Sequence, residues 1–402
     1  MYEVKPEDAS HVLLMYSGGL DTSAILLWLQ EKGARVSTLT VDLGQGEDLK
    51  KVKEKAIELG AHRAFIIDAK REFVEDYVTP SIKANGLYMG IYPLFTALSR
   101  PLISEKAVKL AKRIRAEAIA HGSTGKGNDQ VRLELNTLVL NPDMKIVAPV
   151  RTFKLSRAEE LNLLKGCGLD ISSWAHKDYS IDENLWGISF QGSEISSPSN
   201  QVSSKVFDHA KEYFPEFNPP ESAPDKPEVI EIGFRNGVPT SLNGQKLDLG
   251  GIINQLNALG AKHGVGIIDY VEDYIFGHKG REFYIAPAAE IIITAHKDLE
   301  HLLLPKKLLH EKQQMDSKWS YMVYHGWWYH KFKCILQESI EKMNENIAGS
   351  VTLKLYKGKV SVLSRESPNT SKLLYSEKLG AAGFDELASP GFIELSSLEM
   401  VL

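Results

Sequence analysis

His11-Val-Leu-Leu-Met-Tyr16 runs directly into Ser17-Gly-Gly-Leu-Asp-Thr-Ser23. The first stretch is a short, mostly apolar run with a glycine pair behind it, the signature of a buried strand. Beyond it, Ile25, Leu26, Trp28 and Leu29 are apolar, and the chain meets a glycine at Gly33. That pattern predicts a helix over 20–33. Between strand and helix, Gly18 and Gly19 permit a tight turn and close backbone approach. Asp21, Thr22 and Ser23 sit where first-turn caps belong. A strand, a glycine turn and a capped helix together offer backbone N–H groups, hydroxyls and a helix N-terminus to a phosphate.

The same rhythm repeats through the first 150 residues. Strands are expected at 36–43 (VSTLTVDL), 64–68 (AFIID) and 116–120 (AEAIA), with helices at 47–60, 71–85, 101–115 and 156–166. Short apolar strands separated by helices of 10–15 residues imply βαβ units and an α/β fold with a doubly wound, mostly parallel sheet. After that the rhythm changes. Val229–Phe234 and Val238–Leu242 flank Arg235-Asn236-Gly237, a hairpin signal. Val351–Tyr356 and Lys359–Leu363 read as a second hairpin. Ile252, Ile253, Leu256 and Leu259 mark a helix, and 318–346 reads as one long helix with Trp327, Trp328, Phe332, Leu336 and Ile340 on a core face. The later part is therefore expected to be α+β. The domains are set at 1–169, 170–364 and 365–402.

Composition narrows the function. The chain has 402 residues, 25% of them charged and 43% hydrophobic, with a net charge of 47 − 52 = −5. Two or three soluble domains fit that length. Neutralising nucleic-acid phosphates needs clustered Lys and Arg, so nucleic acid is not an expected partner. No apolar run reaches the ~20 residues of a bilayer span, so no membrane is expected either. The start of the chain is acidic and lacks an apolar signal core, which makes the cytoplasm the default location. Two cysteines, Cys167 and Cys334, cannot build a disulfide framework or a cysteine-based zinc site. No other cluster has protein-only metal-ligand spacing.

A second chemical signal follows the 116–120 strand: His121-Gly-Ser-Thr-Gly-Lys-Gly-Asn-Asp-Gln-Val-Arg-Leu-Glu134. In a doubly wound sheet it falls at the carboxyl edge, where ligands bind. Its three glycines, interleaved with Thr124, Lys126, Asn128, Asp129 and Arg132, make a polar, backbone-rich cradle. His121 alone carries little meaning and is equally a hydrogen-bonded structural residue. The P-loop and dinucleotide patterns do not occur: Gly125-Lys126 is followed by Gly127, and Gly264-Val-Gly266 by Ile267-Ile-Asp269.

Together the two segments resemble the N-type ATP pyrophosphatases and, within them, the argininosuccinate synthase family. The resemblance also rests on Tyr92-Pro-Leu-Phe-Thr-Ala-Leu-Ser-Arg-Pro-Leu-Ile103, Tyr179-Ser-Ile-Asp-Glu-Asn-Leu-Trp186, Lys262-His-Gly-Val-Gly266, Val271-Glu272 and Arg365-Glu-Ser-Pro368. It implies ATP-dependent ligation of citrulline and aspartate through a citrullyl-adenylate, giving argininosuccinate, AMP and pyrophosphate. By position it assigns Met15, Tyr16, Ser17, Gly18, Gly19, Leu20, Asp21, Thr22, Ser23, Val41 and Gly122 to ATP, with Mg2+ riding on the phosphates. It assigns Thr124, Asn128 and Asp129 to aspartate, with Asn128 also near citrulline. Tyr92, Arg132, Ser180, Ser189, Glu272 and Tyr284 fall to citrulline. Asp21, Asp129 and Arg132 are the residues expected to carry catalysis. Charge alone suits Arg132 to a carboxylate and Glu272 to an ammonium group. The resemblance further implies a homotetramer built with the C-terminal segment.

The match has departures. Ile267 and Asp273-Tyr274 stand where the family has Arg and Asn-Arg, and Met89 where it has an acid. Lys279-Gly-Arg-Glu-Phe-Tyr-Ile-Ala-Pro-Ala-Ala289 stands for KSRGxYETPGG. These lie on the citrulline side, so a related ureido substrate for the same ATP module is the first alternative. A nucleotide-binding regulator without turnover is the second. A tRNA thiolase would want paired cysteines and a basic face, and an amidotransferase partner a catalytic cysteine in context.

Overall fold

The computed structural model describes residues 2–46, 48–152, 157–166, 179–370 and 386–400. Cys167 and the expected boundary near residue 170 lie outside them. The opening strand, β1 (His11–Met15), sits at the centre of a five-stranded parallel sheet. It pairs on one side with β2 (Arg35–Asp42), which pairs with β3 (Arg63–Asp68). On the other side it pairs with β4 (Ala118–Ala120) and, beyond that, β5 (Lys145–Val147). The order is β3-β2-β1-β4-β5. The strand order reverses between β1 and β4, so the loops leaving those two strands flank a crevice at the carboxyl edge.

Every residue of β1 is buried, as a parallel strand covered on both faces must be. Val12 and Leu14 point into a core shared with Ile25, Leu26 and Leu29 of helix α1 (Leu20–Glu31). Leu13 and Met15 point the other way, into a larger core that reaches Phe95, Trp186, Tyr284 and Trp319. This second core joins the parallel sheet to the later half of the chain. Helix α2 (Leu49–Glu58) is capped by Asp48, whose Oδ1 accepts from the N–H groups of Lys50 at 3.1 Å and Lys51 at 3.4 Å.

The later half holds two antiparallel sheets. One contains β8 (Glu228–Arg235), β9 (Val238–Leu242), β10 (Gln245–Lys246), β13 (Gly349–Tyr356) and β14 (Lys359–Glu366), in the order β10-β9-β8-β13-β14. Both expected hairpins belong to it. Asn236 and Gly237 take φ of 51° and 74°, the turn Asn-Gly favours. The other sheet runs β11-β12-β7-β6, from β6 (Ser180–Asn184), β7 (Gly187–Gln191), β11 (Ile267–Asp273) and β12 (Lys279–Ile285).

Two expectations need correction. The helix expected from Pro101 begins at Phe95 and runs to Ile114, with Pro101 inside it. An interior proline costs about 3 kcal/mol. Burial of Phe95, Leu98 and Leu102 repays that, at about 1.5–3 kcal/mol each. The long 318–346 helix is two helices, Lys306–Tyr324 and Lys331–Asn344. Gly326 breaks it at φ 79°, and a Cβ there would lie 2.9 Å from the Cα of Arg132. Trp327 and Phe332 consequently sit 40% and 44% exposed instead of in the core, while Trp328, Leu336 and Ile340 are buried. Residues 180–184, part of the Tyr179–Trp186 motif, form strand β6.

Candidate active site

The loop after β1 is shaped by its own hydroxyls. Tyr16 OH and Ser23 Oγ lie 3.0 Å apart, and Ser17 Oγ and Thr22 Oγ1 3.1 Å apart. Gly18 stands at φ 78°, and a Cβ on it would come within 2.9 Å of Val52 on α2. Only glycine fits that turn, so its backbone is left bare toward the crevice. Leu20 is the first residue of α1 and is buried, as are Met15 at the end of β1 and Val41 near the end of β2. Asp21 is exposed in the first turn. Lys55 reaches in from α2, its Nζ donating to the Gly18 carbonyl at 2.9 Å. That cation was not anticipated, since a lysine in an amphipathic helix carries no signal of its own.

The loop after β4 closes on the first. A Cβ at Gly122 would meet Thr22 Cγ2 at 3.3 Å and Asp21 Cβ at 3.9 Å, so the two glycine loops lie face to face across the crevice. His121 is a structural residue. Its Nδ1 accepts from the Ser123 N–H at 3.2 Å, which leaves Nε2 to donate to Glu134 at 2.9 Å. Glu134 in turn pairs with Arg151 at 2.7 Å. Thr124 caps the turn with its carbonyl, which accepts from Gly127 N–H at 3.2 Å.

Helix Asn128–Leu140 starts here and carries Asn128, Asp129 and Arg132 on its first turns. Asp129 bonds Arg132 at 3.1 Å and Arg100 at 2.7 Å, and Arg100 also holds Asp182 of β6. Burial alone would raise the Asp129 carboxyl, but the two guanidinium groups win and hold it below the ordinary range. Asp182 keeps a raised carboxyl because burial dominates there. Arg132 Nε donates to the Tyr324 carbonyl at 2.8 Å, with its guanidinium 4.7 Å over the Tyr324 ring. Its remaining nitrogen, NH2, is buried without a hydrogen-bond partner. A buried, unsatisfied guanidinium nitrogen costs about 1–3 kcal/mol or more, and an incoming carboxylate would repay it.

Facing Arg132 is one face of the β11-β12-β7-β6 sheet. Its ladder sets Tyr284 against Ser189, and Ser189 against Asp182. The next row carries Tyr270, Glu282, Gln191 and Ser180. Glu272 follows, opposite Gly280. Glu272 is buried and accepts from three phenols: Tyr284 at 2.9 Å, Tyr270 and Tyr324. Burial raises its carboxyl. Tyr92 stacks on Tyr284 with ring centroids 4.5 Å apart, and Tyr88 on Tyr324 at 3.5 Å. Asn128 ties the whole together. Its amide donates to Tyr324 OH at 2.8 Å, and its oxygen accepts from Ile275 N–H at 2.9 Å.

The structure brings Glu272, Tyr284, Ser189, Ser180, Tyr92, Asn128, Asp129 and Arg132 together, Ser180 at an exposed strand end. Arg100, Asp182, Gln191, Tyr270, Glu282 and Tyr324 join them unannounced. Alternation of polar and apolar residues in Ser180-Ile-Asp182, Ser189-Phe-Gln191 and Glu282-Phe-Tyr284 is the signal that marks three of them, Asp182, Gln191 and Glu282. The departures pair up as well. Ile267 lies directly opposite Ile285, on the far face, among Phe190 and Phe283. Tyr274 donates to Glu282 on the near face.

Set beside known proteins, residues 11–170 match the arginosuccinate synthase N-terminal HUP domain and residues 179–402 the arginosuccinate synthase C-terminal domain. Argininosuccinate synthase of Rubrobacter xylanophilus is 46% identical over 391 residues, covering 96% of this chain and 93% of its own. That of Pyrococcus furiosus is 47% identical over 396 residues, covering 97% and 93%. That of Pyrobaculum aerophilum is 45% identical over 394 residues, covering 97% of both. With both halves matched and near-complete relatives at this identity, the chain belongs to the argininosuccinate synthase family.

Proposed function

We propose that the chain ligates citrulline to aspartate in arginine biosynthesis, consuming ATP and releasing AMP and pyrophosphate. One observation carries this reading: an anion cradle between two glycine loops adjoins a pocket with an unsatisfied guanidinium on one side and a buried carboxylate on the other. The cradle suits a triphosphate. Bare backbone at Gly18, Gly19 and Gly122, the hydroxyls of Ser17, Thr22 and Ser23, the α1 N-terminus and Lys55 are all complementary to anionic oxygen. The pocket suits an amino-acid head, with carboxylate on Arg132 and ammonium on Glu272.

The chemistry follows from that placement. A ureido carbon is a poor electrophile and its oxygen a poor leaving group. Attack of the oxygen on the α-phosphorus expels pyrophosphate and turns that oxygen into part of a good leaving group, AMP. The aspartate amine, as free base, then attacks the ureido carbon. The residues work by positioning and charge stabilisation. Thr124, Asn128 and Asp129 hold aspartate in this scheme, and Arg100 fixes Asp129 as an anion. Tyr92, Ser180, Ser189 and Tyr284 contact citrulline, and Val41 faces the adenine. Mg2+ accompanies the phosphates, with Asp21 nearby.

In this reading residues 1–169 hold the nucleotide, 170–364 the amino acids, and 365–402 the assembly contacts. The terminal helix Ser389–Glu399 supports the last point. Phe392, Ile393, Leu395 and Leu398 are all more than 60% exposed on it, apolar surface that a homotetramer would cover. Among the described residues no helix is long and apolar enough to cross a membrane. Sparse cysteines support a cytoplasmic location. Pyrophosphate release tests the proposal. It should require citrulline and aspartate together for net turnover. ATP binding with no release when both are present would favour the regulator.

A further inference from the structure

The sheet face opposite Arg132 carries two buried carboxylates. Glu272 is expected from the sequence; Glu282 is not, and it is only 1% exposed. Tyr270 pairs with Glu282 and Gly280 with Glu272, so the two acids are diagonal neighbours on one face of the ladder. Diagonal positions lie within reach of each other's long side chains. Glu282 is held by Tyr274 OH and by the Gln191 amide, which lies 3.0 Å and 2.9 Å from its two oxygens. The charged and titratable groups facing it are Glu272, Tyr270, Tyr274, Tyr284 and, across the pocket, Arg132.

Three departures from the family pattern make this arrangement together. Glu282 stands for a glycine and Tyr274 for an arginine. Gly280 stands for a serine, and a Cβ there would collide with the Tyr274 ring. The first two changes add an anion and remove a cation, so this side of the pocket is two charges more negative than the pattern. Nothing in the packing requires that: a buried acid facing another acid is costly unless a cation comes between them.

We propose that Glu282 is a specificity-determining residue which, with Glu272, forms a two-carboxylate subsite for the free ammonium group of the ureido substrate. This deepens the proposed function and rests on it. The ammonium sits between the two acids and is shared by them, while Arg132 takes the substrate carboxylate. Recognition then depends on the ionisation of Glu282. Burial first, with Glu272 adding, pushes its carboxyl up to about 7, against the hydrogen bonds from Tyr274 and Gln191. Below that pH the subsite loses one anion, so the citrulline KM falls as pH rises through 7.

The test compares wild-type enzyme with Glu282→Gln and Tyr274→Phe, using citrulline and 5-ureidopentanoate, its analogue without the ammonium group. For Glu282→Gln the citrulline KM at pH 8 should rise about tenfold, with a smaller change in kcat, and its inflection near pH 7 should vanish. The KM values for aspartate and ATP should move less than twofold, and 5-ureidopentanoate should be used equally poorly by both proteins. Tyr274→Phe keeps the carboxylate but removes a donor to its charged form, so the inflection should move to higher pH. It answers the question even where Glu282→Gln folds poorly. An unaltered citrulline KM and pH profile in both variants, or an equal rise in the aspartate KM, overturns the role of Glu282. A wild-type enzyme that does not turn over citrulline overturns the proposed function instead, which keeps the two failures apart.

Discussion

Replacing Gly326 with alanine should damage the citrulline side of the site from outside it. Gly326 breaks the helix pair at φ 79°, a conformation that costs a side-chain-bearing residue about 1–2 kcal/mol. The new Cβ would also stand 2.9 Å from Arg132 Cα, a backbone atom inside a helix with no flexible end to move aside. The Gly326 turn must therefore lift away, carrying Tyr324 with it. That loosens the 2.8 Å bond from Arg132 Nε to the Tyr324 carbonyl, a charged hydrogen bond worth about 1.5–3 kcal/mol. The total is about 3–5 kcal/mol. Gly244→Ala is the control: it has φ 75° and nothing within 4 Å of its Cβ, so only the conformational cost of about 1–2 kcal/mol applies. Urea denaturation followed by tryptophan fluorescence should place Gly326→Ala about 1.5–3 kcal/mol below Gly244→Ala. The citrulline KM should rise at least tenfold in the first and stay at the wild-type value in the second. Equal stability for the two variants, with both KM values unchanged, would refute the coupling between this turn and Arg132.

Glu272→Gln should raise the citrulline KM about 10- to 100-fold, as expected for a charged hydrogen bond of about 1.5–3 kcal/mol, and the aspartate KM much less; steady-state kinetics showing equal effects would undo its assignment. Asp21→Asn should slow adenylate formation about tenfold, or about 1.4 kcal/mol of barrier, by disturbing the phosphate environment at the α1 N-terminus; rapid-quench measurement of an unchanged rate contradicts that role. The Glu282 carboxyl, raised from 4.5 to about 7, binds a proton in the folded chain that the unfolded chain has already lost. Stability should therefore fall as pH rises from about 4.5 to 7, by roughly 3 kcal/mol for this group. Denaturation midpoints across that window should flatten in Glu282→Gln, and an identical pH dependence in both proteins removes Glu282 as the cause.

The nucleotide half is largely legible in the sequence because its signals are local. An apolar strand, a glycine pair and a capped helix each depend on neighbours a few residues apart, and β1 to β4 with their helices follow. β5 is three residues long and offers no period to detect. The amino-acid half resists because its determinants are long-range. Tyr324 reaches Glu272 across 52 positions, and Asn128 reaches Tyr324 across 196. Gly326 breaks a helix that periodicity alone would continue, since its reason is an Arg132 backbone 194 positions away (326 − 132). Residues such as Ser189 and Tyr284 are singled out only by resemblance to a family. Their meeting on one sheet face comes from strand register.

Citrulline labelled with heavy oxygen at the ureido position tests the central claim most directly. Incubated with the enzyme, ATP and aspartate, it should deliver its label to AMP, because the oxygen that attacks the α-phosphorus leaves with it. Mass spectrometry of AMP and pyrophosphate reads the outcome. One labelled oxygen per AMP and none in pyrophosphate is the result expected. Argininosuccinate formed alongside unlabelled AMP would contradict the adenylate route.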